Sequence, residues 1–182
     1  QDAGDTADWS HVMQSGSSGE QSVANMPVND LPELDLGGFA RRQSLIKGLL
    51  VIQLEGNNYA GAASQMNATV LPAVEGQLSP VVFNQKVGES METGLTRVLK
   101  FIREKHGPLP QDSRIEISFE SQYSPKDGDS ASVACALLLD SLLSGIEIDS
   151  SFAVTGALSP EGEVKAVGGI DGKIRGAAGR DC

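Results

Sequence analysis

Residues 124–132 read Ser-Pro-Lys-Asp-Gly-Asp-Ser-Ala-Ser and run straight into the apolar segment Val133 to Leu139. Pro125, Asp127 and Gly128 supply a turn. That turn delivers Ser130 to the expected first turn of a buried helix, where unpaired N–H groups and the helix dipole favour developing negative charge. A hydroxyl in that position suits a nucleophile. The structural alternative is that Asp127, Asp129 or Ser130 simply caps the helix.

A serine hydroxyl needs a group that removes its proton, and in most hydrolases that group is histidine. Here the histidines are His11, in a polar tail, and His106, at a helix end before Gly107-Pro108. Neither position suits a Ser-His-Asp arrangement, which leaves lysine. Lysine serves as a base only when burial or nearby positive potential brings its pKa from about 10.4 toward 7 or 8. Lys173 lies just past Gly168-Gly169, in the expected first turn of a helix, where the dipole disfavours a cation. Its rivals are Lys126, four residues before Ser130, and Lys165, which follows Glu163 on a hairpin and is expected in solvent. The residues alone leave the choice among the three open.

The elements that must hold these groups are legible from periodicity. Ile46 to Leu54 is β-branched and apolar, as a buried strand is, and Gly56-Asn57-Asn58 supplies a turn. Ala63 to Val74 reads as a second strand and Gln77 to Phe83 as a weaker third. After Gly88, Met91, Leu95, Val98, Leu99 and Ile102 share one face of a helix of about 17 residues, ended by His106-Gly107-Pro108. Ile115, Ile117 and Phe119 alternate with Glu116, Ser118 and Glu120 in a strand with one wet face. A helix from Ser130 to Leu143, apolar on nearly all sides, is expected at the centre of the fold, closed by Gly145. Phe152 to Thr155 begins another strand. Gly156 to Val164 forms a hairpin turning at Pro160-Glu161-Gly162, with a second arm from Val164 to Val167, and a last helix carries Lys173, Ile174 and Ala177. Strands, helix, strand, helix, hairpin and helix in that order point to a two-layer α+β domain.

The formal charge is −10, and residues 1–40 carry seven acidic and no basic side chains. An acidic chain without a basic stripe argues against nucleic-acid binding. Those first 40 residues, rich in Gly, Ser, Asp and Asn, read as a disordered acidic linker or arm, with Trp9 and Met26 as its large residues. The folded domain is expected over 41–182. Cys135 and Cys182 form neither a disulfide framework nor a zinc pattern, and Cys135 reads as a core residue. The longest uncharged apolar run, Ser130 to Leu139, is far shorter than the ~20 residues of a membrane span.

Ser124 to Ala131 resembles the nucleophile motif of the Lon protease family, in which a Pro-Lys-Asp-Gly turn leads to the catalytic serine. Val154-Thr155-Gly156, the hairpin, and Gly162 to Lys173 resemble the block that follows it in that family. There the lysine stands four residues past the Gly-Gly pair; here it stands 43 residues after the serine, as the family spacing requires. The resemblance extends more loosely from about Lys47 to the end. It implies a Lon-type proteolytic domain, truncated at its C-terminus. In such a domain Ser130 is the nucleophile and Lys173 its general base, in a serine endopeptidase that acts on unfolded or flexible polypeptide through an acyl-enzyme. It also implies that Thr155 assists by hydrogen bonding, that Asp127 and Gly128 shape the turn, and that the chain assembles as a hexameric ring.

This chain departs from the family at Asp129, where proline is usual, and at Ser132, where glycine is usual. Glu116 and Ser118 replace histidines, and Ala157 replaces an acid. A carboxylate at Asp129 is expected to hold a nearby lysine in its charged form. These departures carry the alternative, a non-catalytic Lon-like interaction or assembly domain; a small-ester or amide hydrolase with the same dyad is a third reading. No cofactor or metal is expected in this chain. Gly172-Lys173 is followed by Ile174, not Ser or Thr, so no phosphate-binding G-x-x-x-x-G-K-[ST] loop is present. ATP is expected only if an ATPase module lies upstream or on a partner.

Overall fold

The computed structural model describes residues 36–53, 59–120 and 126–178. The arm through residue 35, with Trp9, His11 and Met26, the Gly56-Asn57-Asn58 turn, Ser124, Pro125 and Cys182 lie outside the described residues. Strands β1 (Gln43–Gln53), β2 (Tyr59–Pro72) and β3 (Val81–Phe83) precede helix α1 (Glu89–His106) and strand β4 (Ser113–Phe119). A 3-10 turn (Asp129–Ala131) opens into helix α2 (Ser132–Ser144). Strand β5 (Ala153–Val154), the hairpin of β6 (Ala157–Leu158) and β7 (Val164–Lys165), and helix α3 (Ile170–Ala178) follow. Mixed helix and sheet in this order make an α+β fold.

The main sheet has the order β3-β4-β2-β1-β5, and β6-β7 stands apart as a two-stranded ribbon. β1 with β2 and β2 with β4 are antiparallel, with Ile46 opposite Met66 and Ala68 opposite Ile117. β3 joins β4, and β5 joins β1, in parallel. Met66, Ala68 and Val70 on β2 and Ile115, Ile117 and Phe119 on β4 alternate onto one buried face, as the period of 2 dictates. Val98 and Ile102 of α1 and Leu138, Leu139 and Leu142 of α2 meet them in one continuous core. Burying each such side chain stabilises the fold by about 1.5–3 kcal/mol.

Several expected boundaries move, each for a local reason. The third strand shrinks to Val81–Phe83, because Gly76, at positive φ, turns the chain and Ser79 Oγ bonds both ways with the backbone of Val81. The central helix starts at Ser132 rather than Ser130, with the 3-10 turn ahead of it. The second hairpin arm pairs only over Val164–Lys165. Gly145 ends α2 in the left-handed conformation that glycine adopts without strain. Cys135 is core, its thiol pKa pushed up to about 12 by burial. Residues 36–40, grouped by composition with the arm, pack here: Phe39 is buried, and the N–H groups of Ala40 and Arg41 donate to Leu142 O at the end of α2.

Candidate active site

The segment before Ser130 is fastened to the start of α1. Gly88 N donates to Lys126 O at 2.8 Å, and Asp127 Oδ1 accepts from Met91 N at 3.2 Å and Gly128 N at 2.7 Å. A carboxylate is well suited to the unpaired N–H groups of a first helical turn. Asp127 therefore caps α1, a helix 36 residues away in sequence, and not the apolar helix that follows it. Among the described residues no side chain caps α2, whose N-cap position is Ala131. The approach needs glycine at position 88, where a Cβ would sit 2.1 Å from Asp127 Cγ. Gly128, at φ 104°, then redirects the chain, and Ser130 occupies the middle of the 3-10 turn.

The chain beyond β5 is bonded to that turn. Gly156 N donates to Ser130 O at 2.9 Å, and Val133 N donates to Gly156 O at 3.2 Å. Ser132 Oγ donates to Asp129 O at 2.6 Å and accepts from Leu158 N at 2.7 Å, so one hydroxyl joins the turn to β6. Thr155 is thereby held beside Ser130, its Oγ1 3.5 Å from Ser130 O.

Lys173 arrives from α3, 3% exposed, and Nζ donates to Thr155 Oγ1 at 2.9 Å. Glycines decide this approach: a Cβ on Gly61 would lie 1.8 Å from Gly172 O, and one on Gly176 would lie 2.1 Å from Gly61 C. With no side chains between them, α3 lies directly on β2 and Lys173 reaches inward. Burial lowers its pKa from the ordinary lysine value. Lys173 is the fourth residue of α3, its N–H already bonded to Gly169 O.

Of the rivals, Lys165 is exposed and paired with Glu163 at 2.5 Å. Lys126 is 7% exposed, its pKa also lowered by burial, and its Nζ lies 5.9 Å from the centroid of the Phe119 ring. His106 pairs with Asp140 at the far end of α1.

Two cavities meet at Gly128, Ser130 and Lys173. One, of about 610 Å³, runs beneath the hairpin past Leu158, Pro160 and Val167, with Arg97 and Asp129 in its wall. The other, of about 520 Å³, is lined largely by apolar side chains, among them Leu50, Met66, Met91, Phe119 and Val154, and contains Lys126. Asp129 faces Arg97, Oδ2 to Nη1 at 2.9 Å, and not the lysine it was expected to hold charged. Among the described residues no His, Cys, Asp and Glu cluster fits a metal ion, and no helix is long and apolar enough to cross a membrane.

The structure thus brings Ser130, Lys173, Thr155 and Gly128 to one place, with Lys126 and Asp127 on the adjoining wall. Arg97, Gly61, Gly172, Gly176 and the bridging role of Ser132 escape the sequence reading. Only the density of glycines near Lys173 could have signalled a close approach; Arg97 reads as an ordinary charge on the wet face of a helix.

Comparison with known proteins gives a consistent picture. Residues 41–181 match the family model of the Lon protease C-terminal proteolytic domain. An archaeal Lon protease of Methanothermobacter thermautotrophicus is 33% identical over 133 residues, covering 73% of this chain and 20% of that protein. One from Archaeoglobus fulgidus is 32% identical over 132 residues, covering 72% and 21%. A putative Lon protease homolog of Escherichia coli is 28% identical over 133 residues, covering 72% and 23%. The chain thus spans about a fifth of the length of the curated relatives it matches.

Proposed function

The chain belongs to the Lon protease family, and from that premise we propose that it is a serine endopeptidase in which Ser130 is the nucleophile and Lys173 the general base. The observation that carries this reading is a lysine 3% exposed, bonded to Thr155 and lining the same two cavities as Ser130. Desolvation favours its neutral form, and a neutral amine accepts the proton that a serine must lose to attack.

In the first step Ser130 Oγ bonds to the scissile carbonyl carbon and its proton passes to Lys173 Nζ. Collapse of the tetrahedral intermediate breaks the C–N bond, and Lys173 returns the proton to the leaving amine. Water then attacks the acyl-enzyme, giving a proton to Lys173 that goes back to Ser130 as the carboxylic acid leaves. Thr155 orients the amine throughout. Two cavities joined at the dyad suit an extended polypeptide, one on each side of the scissile bond, so we take unfolded or flexible chains as substrate. A hexameric ring belongs to the same proposal, and ATP enters it only if an ATPase module lies upstream or on a partner.

Lys126 is the alternative base, since it too is buried in the apolar cavity. Its Nζ lies over the Phe119 ring, a contact that works against the neutral form which burial favours. A fluorophosphonate or peptidyl boronate is expected to label the protein and to leave Ser130→Ala unlabelled; equal labelling of the variant overturns the assignment. Lys173→Met is expected to abolish turnover with the fold intact. Loss in Lys126→Met with retention in Lys173→Met would exchange the two lysines.

A further inference from the structure

Asp129 stands next to the proposed nucleophile, in the wall of the cavity that also holds Lys173. An unpartnered carboxylate there would stabilise the ammonium form of the lysine and oppose its use as a base. Its geometry prevents this. The 3-10 turn packs on α1 at Gly94, where a Cβ would lie 3.4 Å from Asp129 Cα, and Arg97, one turn further along the helix, binds Oδ2 at 2.9 Å. Asp129 O is occupied by Ser132 Oγ, which fixes the backbone of the same residue. We infer that Arg97 is a positioning residue, which keeps the Asp129 carboxylate on α1 and leaves Lys173 to Thr155. The inference rests on the Ser130–Lys173 reading above.

Among the described residues, the other charged groups lining the two cavities have their own places. Lys126 and Asp127 line the apolar cavity, Asp127 capping α1, and Lys165 on β7 is paired with Glu163. Asp171 and Arg175 on α3 are exposed. Among the described residues, β1 and β2 contribute uncharged groups to the cavity walls, Gly48 to Val51, Ser64 and Met66. Asp129 is the carboxylate adjacent to Ser130, and its placement distinguishes an Arg97 effect from a general one. Burial is the cause that lowers the Lys173 pKa, in keeping with a carboxylate held elsewhere.

The test is the pH profile of peptide-bond cleavage by the complete protein, using an unstructured fluorogenic polypeptide. Arg97→Met is expected to move the acid limb up by about half to one pH unit, a loss of roughly 3–10-fold on that limb, with the rate recovering at higher pH. Arg97→Lys is expected to keep the limb in place, and Asp129→Asn added to Arg97→Met to return it. Arg97→Gln replaces Arg97→Met should the latter not fold. Equal loss at every pH, or a shift that survives Asp129→Asn, overturns the inference. If Ser130→Ala or Lys173→Met remains active, the dyad reading fails and takes the inference with it. If both are inactive and the Arg97→Met limb is unmoved, the inference alone fails.

Discussion

Lys173 Nζ donates to Thr155 Oγ1 at 2.9 Å, although the lysine belongs to α3 and the threonine to the link between β5 and β6. The same hydroxyl faces Ser130 O at 3.5 Å. One side chain therefore relates two segments that approach the site from different elements, and what it orders is the direction of the amine.

Thr155→Val removes that acceptor while keeping the shape of the side chain. A hydrogen bond of this kind contributes about 1 kcal/mol, so the rate is expected to fall about 5–10-fold. Thr155→Ser, which retains the hydroxyl, should lie near wild type. Steady-state kinetics of the two, with thermal melts as a control, give the comparison; a Val variant as active as Ser would remove Thr155 from the mechanism.

Gly61→Ala tests the closeness of α3 to β2. The added Cβ meets the backbone of Gly172 and Lys173, which has no rotamer through which to yield. Overpacking of this type costs about 1–3 kcal/mol, and a displacement of about 1 Å at a reacting group costs up to 10²-fold in rate. Activity is expected to drop by more than tenfold, beyond what the change in Tm accounts for. An active and undiminished Gly61→Ala would mean that α3 tolerates a shift.

Ser132→Ala leaves the Leu158 N–H without its acceptor at a buried position. Loss of about 1–3 kcal/mol of stability is expected, read by denaturant unfolding, with amide exchange accelerated at Leu158. Unchanged exchange there would show that the hairpin holds its place without this hydroxyl.

Asp140 links α1 to α2. Burial opposes its ionisation, but hydrogen bonds from Lys105 and His106 and their charges together hold its carboxyl below the usual carboxylate value. A folded-state pKa below the unfolded one means that the stabilisation is complete above the unfolded value and is lost as pH falls through the folded one. Asp140→Asn is thus expected to lower Tm at neutral pH and to converge with wild type as the solution becomes strongly acidic. Parallel melting curves from pH 7 to 2 would contradict this.

Lys173 carries a dependence of the same sign, in the alkaline range instead of the acid one. Its pKa is lowered on folding, so between the folded and unfolded values the unfolded chain holds a proton that the native chain has released. Stability rises with pH across that window, and the rate rises through the folded pKa. Lys173→Met is expected to flatten the alkaline rise in Tm; persistence of the full slope would assign it to another group, with Lys126 the first to examine.

Much of this was written in local pattern. Alternation of Ile115, Ile117 and Phe119 gave β4, the period of Met91, Leu95, Val98 and Ile102 gave α1, and Gly145 gave the end of α2, because each depends on neighbours within a turn or a pleat. The serine motif and the lysine behind its Gly-Gly pair were legible as a resemblance for the same reason: both are short and contiguous.

What the tertiary structure decided are the matters that depend on two distant segments meeting. The sequence offered Asp127, Asp129 or Ser130 as a cap of the following helix, and packing made Asp127 the cap of α1. It placed Asp129 as a threat to the base, and in the fold that carboxylate pairs with Arg97 of α1. It supplied Gly61, Gly172 and Gly176 as small residues, but only the contact between β2 and α3 makes their lack of a side chain necessary. Composition and periodicity describe how a residue relates to its own element. Which charge is neutralised, and which lysine is desolvated, depend on distances across the fold that no local pattern contains.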